Sequence, residues 1–202
     1  MSDINFENKT VVVTGAGNGL GKAYAMEFAK RGANVVVNDI GGSVDGAGSE
    51  NAPADIVVEE IKSNGGSAVA NYDTVATKEG GQSIIDTALN EFGSIHSVVN
   101  NAGILRDKSF AKMEEEDFNA IIDVHLKGTF FVCQPAFVQM KEQGFGRFVN
   151  VSSPSGLFGN FGQLNYGAAK MGIVGLTNVL AIEGMKYNIK ANAIACLLYT
   201  SD

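Results

Sequence analysis

The sequence predicts a doubly wound α/β domain, a parallel sheet between two layers of helices, and three observations predict it. Short β-branched runs alternate with amphipathic stretches along the chain, glycines and unusual polar residues recur just after those runs, and no composition break divides the 202 residues. One domain spanning 1–202 is therefore expected.

Taken in order, the first strand is "TVVVTG" at 10–15, followed by a helix over 19–31. The second strand is "NVVVND" at 34–39, and the Gly/Ser-rich "GGSVDGAGSENAP" at 41–53 reads as a long loop before a helix over 54–64. "GSAVANYD" at 66–73 precedes a helix over 78–92, and "IHSVVNNAG" at 95–103 precedes a long amphipathic segment over 115–143. "GRFVNVSS" at 146–153, a helix over 163–184 and "IKANAIA" at 189–195 complete the alternation. Right-handed crossovers place ligands at the carboxyl ends of such strands, so function is to be sought along that edge.

Composition narrows the function classes. With 45% apolar residues the chain can bury a core, and its net charge of −7 argues against a nucleic-acid backbone binder. No secretory leader or uninterrupted apolar span is visible, so a soluble protein without a membrane partner is expected. Two cysteines, Cys133 and Cys196, stand far apart without metal-ligand company, which predicts neither a disulfide framework nor a metal site and fits a reducing compartment.

"TGAGNGLG" at 14–21 joins the first strand to the first helix, where exposed backbone amides and the positive end of the helix dipole can meet a pyrophosphate. Gly15, Asn18, Gly19, Leu20 and Gly21 form the expected phosphate-binding turn, although the spacing is G-x-x-x-G-x-G rather than G-x-G-x-x-G. Asp39 closes the second strand about twenty residues further on, where an acid accepts hydrogen bonds from a ribose 2′-hydroxyl. A 2′-phosphate about 4 Å from that carboxylate would be opposed by roughly 4 kcal/mol per unit charge at an effective dielectric of 20, so NAD rather than NADP is the expected cofactor. In "QLNYGAAK", Tyr166 and Lys170 stand four positions apart and share one helix face, so both can touch the same small molecule.

With "TGAGNGLG", "NNAG" at 100–103 and Tyr166-x-x-x-Lys170 in this order, the chain resembles the short-chain dehydrogenases/reductases, from residue 7 to about 195. Within them, "VVVNDIGG", "AVANYDTV", "NNAGILRDKSF", "VHLKGTF" and "GNFGQLNYGAAK" resemble the (3R)-hydroxyacyl-CoA dehydrogenase part of type 2 multifunctional enzymes. The resemblance implies a Rossmann-type fold and reversible hydride transfer between NAD and a secondary alcohol, here C3 of a (3R)-3-hydroxyacyl-CoA. A steroid or other small secondary alcohol is the alternative substrate, and a non-catalytic NAD-binding protein or a truncated fragment is the rival outside enzymes.

The resemblance also implies roles. Tyr166 would be the general acid/base, Lys170 would hold the nicotinamide ribose and lower the tyrosine pKa, and Ser153, thirteen residues before Tyr166, would hydrogen-bond the reacting oxygen. A free phenol titrates near 10, and bringing it to about 7 requires roughly 4 kcal/mol, which an ammonium about 4 to 5 Å away can supply. Ser155 is expected to line the substrate pocket. Asp73 and Thr74 would meet the adenine and Asn100 the adenosine ribose.

Two departures from the family pattern stand out. His125 occupies the position of a usual Asn in the fourth helix, and its backbone carbonyl is the expected holder of a lysine-bound water, with an imidazole proton relay as the alternative. At the end, "CLLYTSD" replaces the usual continuation, so the native product is expected to be longer, with about 196–202 not family sequence and the last helix and strand lacking. Arg106, Lys108 and Lys112 form a basic cluster that could meet CoA phosphates, against the plainer reading of a solvated loop face. The segments 115–143 and 163–184 resemble the family's association helices, implying a homodimer or homotetramer. The expected location is cytoplasmic, or peroxisomal if the chain is part of a multifunctional enzyme.

Overall fold

A computed structural model describes residues 4–42, 45 and 52–195. Its parallel strands are β1 (Thr10–Thr14), β2 (Asn34–Asn38), β3 (Ser67–Asn71), β4 (Ser97–Asn100), β5 (Gly146–Ser152) and β6 (Ile189–Ala195), in the order β3-β2-β1-β4-β5-β6. The chain starts in the middle of the sheet, runs out to β3, then returns to β4 on the other side of β1. The strand order therefore reverses between β1 and β4, which leaves a crevice at their carboxyl ends.

The helices are α1 (Gly19–Lys30), α2 (Ala52–Ser63), α3 (Lys78–Phe92), α4 (Glu115–Ile121), α5 (Gly128–Gln143), α6 (Pro154–Phe158) and α7 (Leu164–Gly184). Every residue of β1 is buried, as a strand covered on both faces must be. Its side chains part by the two-residue period: Val12 joins Ile84, Ile85, Met140 and Phe148 beneath α3 and α5, while Val11 and Val13 join Ala25, Val57 and Ile61 beneath α1 and α2. On edge strand β6, Ile189 and Ala191 are buried, whereas Lys190 and Asn192 are exposed. The expected three-layer arrangement is thus present, with six strands among the described residues.

Local chemistry sets several boundaries. Thr77 caps α3 by accepting a 3.1 Å hydrogen bond from Gly80 N–H, and Gly93 ends it in the left-handed region. The second helix begins at Ala52, two residues before the expected start. The segment read as one helix over 115–143 is not uniform: Ile122–Lys127 is a π-helical stretch between α4 and α5, where Gly128 N–H is directed at Asp123 O five residues back. A continuous helix would bury positions at a period of 3.6, whereas Ile121, His125 and Thr129 recur every four residues across this stretch, a spacing that fits the widened turn. Residues 196–202, and with them Cys196 and the expectation about "CLLYTSD", lie outside the described residues.

Candidate active site

Two adjoining cavities occupy the crevice. The larger, about 770 Å³, is lined by Gly15, Asn18, Asp39, Asp73 and Thr74 among others. The smaller, about 210 Å³, is lined by Leu20, His125, Ser152, Tyr166 and Lys170 among others. Asn101, Gly103 and Ile104 line both, so the segment leaving β4 is their shared wall.

The glycine turn is built for close approach. Gly15 has φ +62, and a Cβ there would stand 2.8 Å from Ala102 Cα; one on Gly21 would lie 2.0 Å from Gly15 O. Asn18 precedes α1 in extended conformation, no side chain caps the helix, and its first turn carries no acid. These amides and their dipole are suited to an anion. Gly19 and Gly21 shape the turn without lining either cavity.

Asp39 lies at the end of β2 with both oxygens engaged: Oδ2 accepts from Gly17 N–H at 2.7 Å and Oδ1 from Gly41 N–H at 2.8 Å. The acid therefore fixes the glycine turn as well as facing the larger cavity. Gly17 was not among the expected residues; the signal lay in the turn itself, where a carboxylate at the end of the next strand needs a donor. Asp73 accepts from Ser83 Oγ at 2.6 Å and from Asn71 Nδ2 at 3.2 Å, which fixes its carboxylate at the wall of the larger cavity. Thr74 Oγ1 accepts from Ala76 N–H at 3.2 Å.

Asn100 is placed differently from its neighbour. Its side chain is buried and donates to Asn150 Oδ1 at 2.8 Å, inside the sheet and away from both cavities. Asn101 instead faces the crevice, donating from Nδ2 to Thr14 O and Gly15 O at 3.1 Å each. Consecutive strand residues point to opposite sides, so of the two side chains that of Asn101 lines the crevice and that of Asn100 lies within the sheet.

Tyr166 and Lys170 meet as their spacing requires. Lys170 is 3% exposed, its Nζ donates to Val151 O at 2.7 Å, and the same Nζ lies 5.4 Å from the centre of the Tyr166 ring. Ser153 caps α6, its Oγ accepting from Ser155 N–H at 3.2 Å. The preceding Ser152 lines the smaller cavity but donates its hydroxyl to Lys170 O at 2.8 Å. Ser155 lines a separate cavity of about 380 Å³ together with Phe110, Phe161 and Leu164.

His125 sits on the π-helical stretch, 3% exposed, with its ring edge-on to Tyr166 at 5.2 Å between centroids. Its carbonyl, the expected water holder, accepts from Thr129 Oγ1 at 2.7 Å. Its Nε2 lies 2.8 Å from Ile104 O and 3.1 Å from Ile104 N. Burial, and then the charge of Lys170, lower its pKa to about 3.

Two members of the basic cluster pair with one carboxylate near the surface, and Lys112 is exposed. Lys108 Nζ pairs with Asp117 Oδ2 at 2.6 Å, and Arg106 Nη1 stands 3.9 Å from Asp117 Oδ1. No helix among the described residues is long and apolar enough to cross a membrane.

Comparison with known proteins agrees with this geometry. The sequence profile described as short chain dehydrogenase matches residues 9–202. A peroxisomal hydratase-dehydrogenase-epimerase of Saccharomyces cerevisiae is 56% identical over 195 residues, covering 96% of this chain but only 21% of the yeast protein. A short-chain type dehydrogenase/reductase of Mycobacterium tuberculosis is 57% identical over 194 residues, covering 96% of this chain and 68% of the relative. The structure of full-length peroxisomal multifunctional enzyme type 2 from Drosophila melanogaster superposes with a TM-score of 0.81 at 46% identity, covering 98% of this chain and 32% of that one.

Proposed function

The chain belongs to the short chain dehydrogenase family and is an oxidoreductase, and on that footing we propose that it oxidises a (3R)-3-hydroxyacyl-CoA to the 3-ketoacyl-CoA with NAD. The observation that carries the chemistry is the buried Lys170 beside Tyr166 in a cavity that shares a wall with the dinucleotide-sized crevice. Asp39 favours NAD, because a second phosphate on the ribose would meet its negative charge. The acyl-CoA assignment rests on the sequence resemblance to the (3R)-hydroxyacyl-CoA dehydrogenase part of type 2 multifunctional enzymes; a peroxisomal setting goes with the yeast and fly relatives, which are peroxisomal, and a cytoplasmic one with a stand-alone enzyme.

The residues fit the cofactor. The amides at the start of α1 would hold the pyrophosphate, Asp39 the adenosine ribose, Asp73 and Thr74 the adenine, and Lys170 the second ribose. When bound, NAD supplies the hydride acceptor. The chain's own part is proton transfer and orientation: the Tyr166 oxygen takes the hydroxyl proton in oxidation and returns it in reduction, and the Lys170 ammonium stabilises the phenolate that accepts it. Ser153 would orient the reacting oxygen through its O–H, which remains free to donate while its Oγ accepts from the amide of Ser155.

Turnover of (3R)- and (3S)-hydroxyacyl-CoA with NAD and NADP, compared with free small secondary alcohols, tests the proposal. Preference for the R thioester with NAD is expected, with Tyr166→Phe lowering kcat by about 10²- to 10⁴-fold while NAD still binds. Equal or better turnover of a small alcohol would favour the alternative substrate, and NAD binding without any turnover would favour the non-catalytic reading.

A further inference from the structure

We infer that His125 is a positioning residue: its imidazole ties down the Ile104 backbone on the wall shared by the two cavities and braces Tyr166 edge-on, without relaying a proton in the reaction. The inference deepens the proposed function, since it rests on Tyr166 as the proton-transfer residue. Three contacts support it. Nε2 meets both polar groups of the Ile104 backbone, the carbonyl O at 2.8 Å and the N–H at 3.1 Å; the shorter contact is to the carbonyl, which an Nε2–H satisfies, so we take Nε2 as the protonated nitrogen. The ring stands at 83° to Tyr166, an edge-to-face arrangement that restricts how the phenol can tilt. A Cβ on Gly103 would stand 2.4 Å from His125 Cε1, so glycine at 103 and imidazole at 125 are a matched pair.

This tautomer leaves Nδ1 as a buried acceptor, and that atom has no hydrogen-bond partner among the described residues. Burial keeps the ring neutral, and the charge of Lys170 acts in the same direction. Lys170 and Tyr166 face it from α7, the segment from Gly103 to Ile104 offers backbone only, and on its own stretch Asp123 is paired with Lys127 at 2.7 Å. The His125 carbonyl accepts from Thr129 Oγ1 and keeps a second lone pair for the water-holding role expected of it, a role any residue's carbonyl could fill, so what distinguishes histidine here is its ring.

Two measurements test this on the full chain. Long-range proton–nitrogen NMR correlations of the imidazoles should show His125 as the neutral Nε2–H tautomer from about pH 5 to 9; a titration midpoint for His125 between about 6 and 8 would overturn the inference. This readout needs no turnover, so it stands apart from any failure of the substrate assignment. In a double-mutant cycle, Gly103→Ala and His125→Ala should each lower kcat by about tenfold or more, and the double variant should lose no more than His125→Ala alone. His125→Gln, which retains a donor, should recover part of the loss, with the limbs of the pH–rate profile unmoved in every variant. Multiplying losses in the double variant, or a displaced limb in His125→Ala, would refute the positioning role.

Discussion

Asp39 Oδ2 accepts a 2.7 Å hydrogen bond from the N–H of Gly17, so the residue proposed to select the cofactor also holds the turn that would bind its phosphates. Replacing Asp39 by Ala together with Ile40 by Arg removes the negative charge and supplies a positive one. The ratio of kcat/KM for NADP over NAD should rise by at least about tenfold. The Gly17 amide loses its acceptor at the same time, so stability should fall by about 1 kcal/mol, read as a lower urea midpoint. Unchanged cofactor preference would exclude Asp39 as the selector.

The two adjacent serines should separate cleanly. Ser152 donates to the Lys170 carbonyl inside the protein, whereas Ser153 holds only an N–H of its own short helix and can turn to a substrate. Ser153→Ala is expected to lower kcat by about 10²-fold with little change in melting temperature. Ser152→Ala should destabilise by about 1 kcal/mol and alter kcat far less. The opposite pattern in parallel kinetics and thermal scans would exchange their roles.

Acid should destabilise the fold through His125. Its folded pKa of about 3 lies below the ordinary value of 6.5, so below that ordinary value the unfolded chain binds a proton the native state refuses. Stability is therefore intact above about pH 6.5 and falls as pH drops toward 3, by up to about 1.4 kcal/mol per pH unit from this group. His96, whose pKa is lowered by burial and by Lys9, adds in the same direction. Urea midpoints between about pH 4 and 7 should thus slope upward with pH, and His125→Asn should flatten that slope; an equal slope in both proteins would contradict this assignment.

Along α7, Met171, Gly175, Val179 and Ile182 lie on one outward face, and Ile182 is 70% exposed. On α5, Phe130 and Val138 are exposed as well. Burying such a face against a second copy would remove it from water, and the absence of a side chain at Gly175 permits close helix approach. A homodimer or homotetramer is expected by light scattering, and Val179→Lys with Ile182→Glu should shift it toward monomer. A monomeric parent at micromolar concentration would remove the association proposal.

Much of this was legible in sequence because the signals are local. The runs "TVVVT" and "NVVVN" carry the two-residue period that buries a strand on both faces, and Tyr166 and Lys170 need only the pitch of one helix to meet. Asn101, Gly17 and the ring of His125 were not legible in the same way. Their roles depend on which side of a strand a residue faces, on a carboxylate arriving from another strand, and on a widened helical turn that the ordinary 3.6-residue period does not anticipate.

By itself the sequence determined the layered parallel fold, the glycine turn with its distant acid, and the Tyr166–Lys170 pair, because each follows from spacing along a single element or from one element to the next. Only the tertiary structure decided that Asn101 rather than Asn100 faces the crevice, that Asp117 takes up Arg106 and Lys108, and that His125 locks against Gly103 and Ile104. Those relations join residues far apart in the chain, and their energies come from burial and close contact, which exist only once the strands and helices have packed.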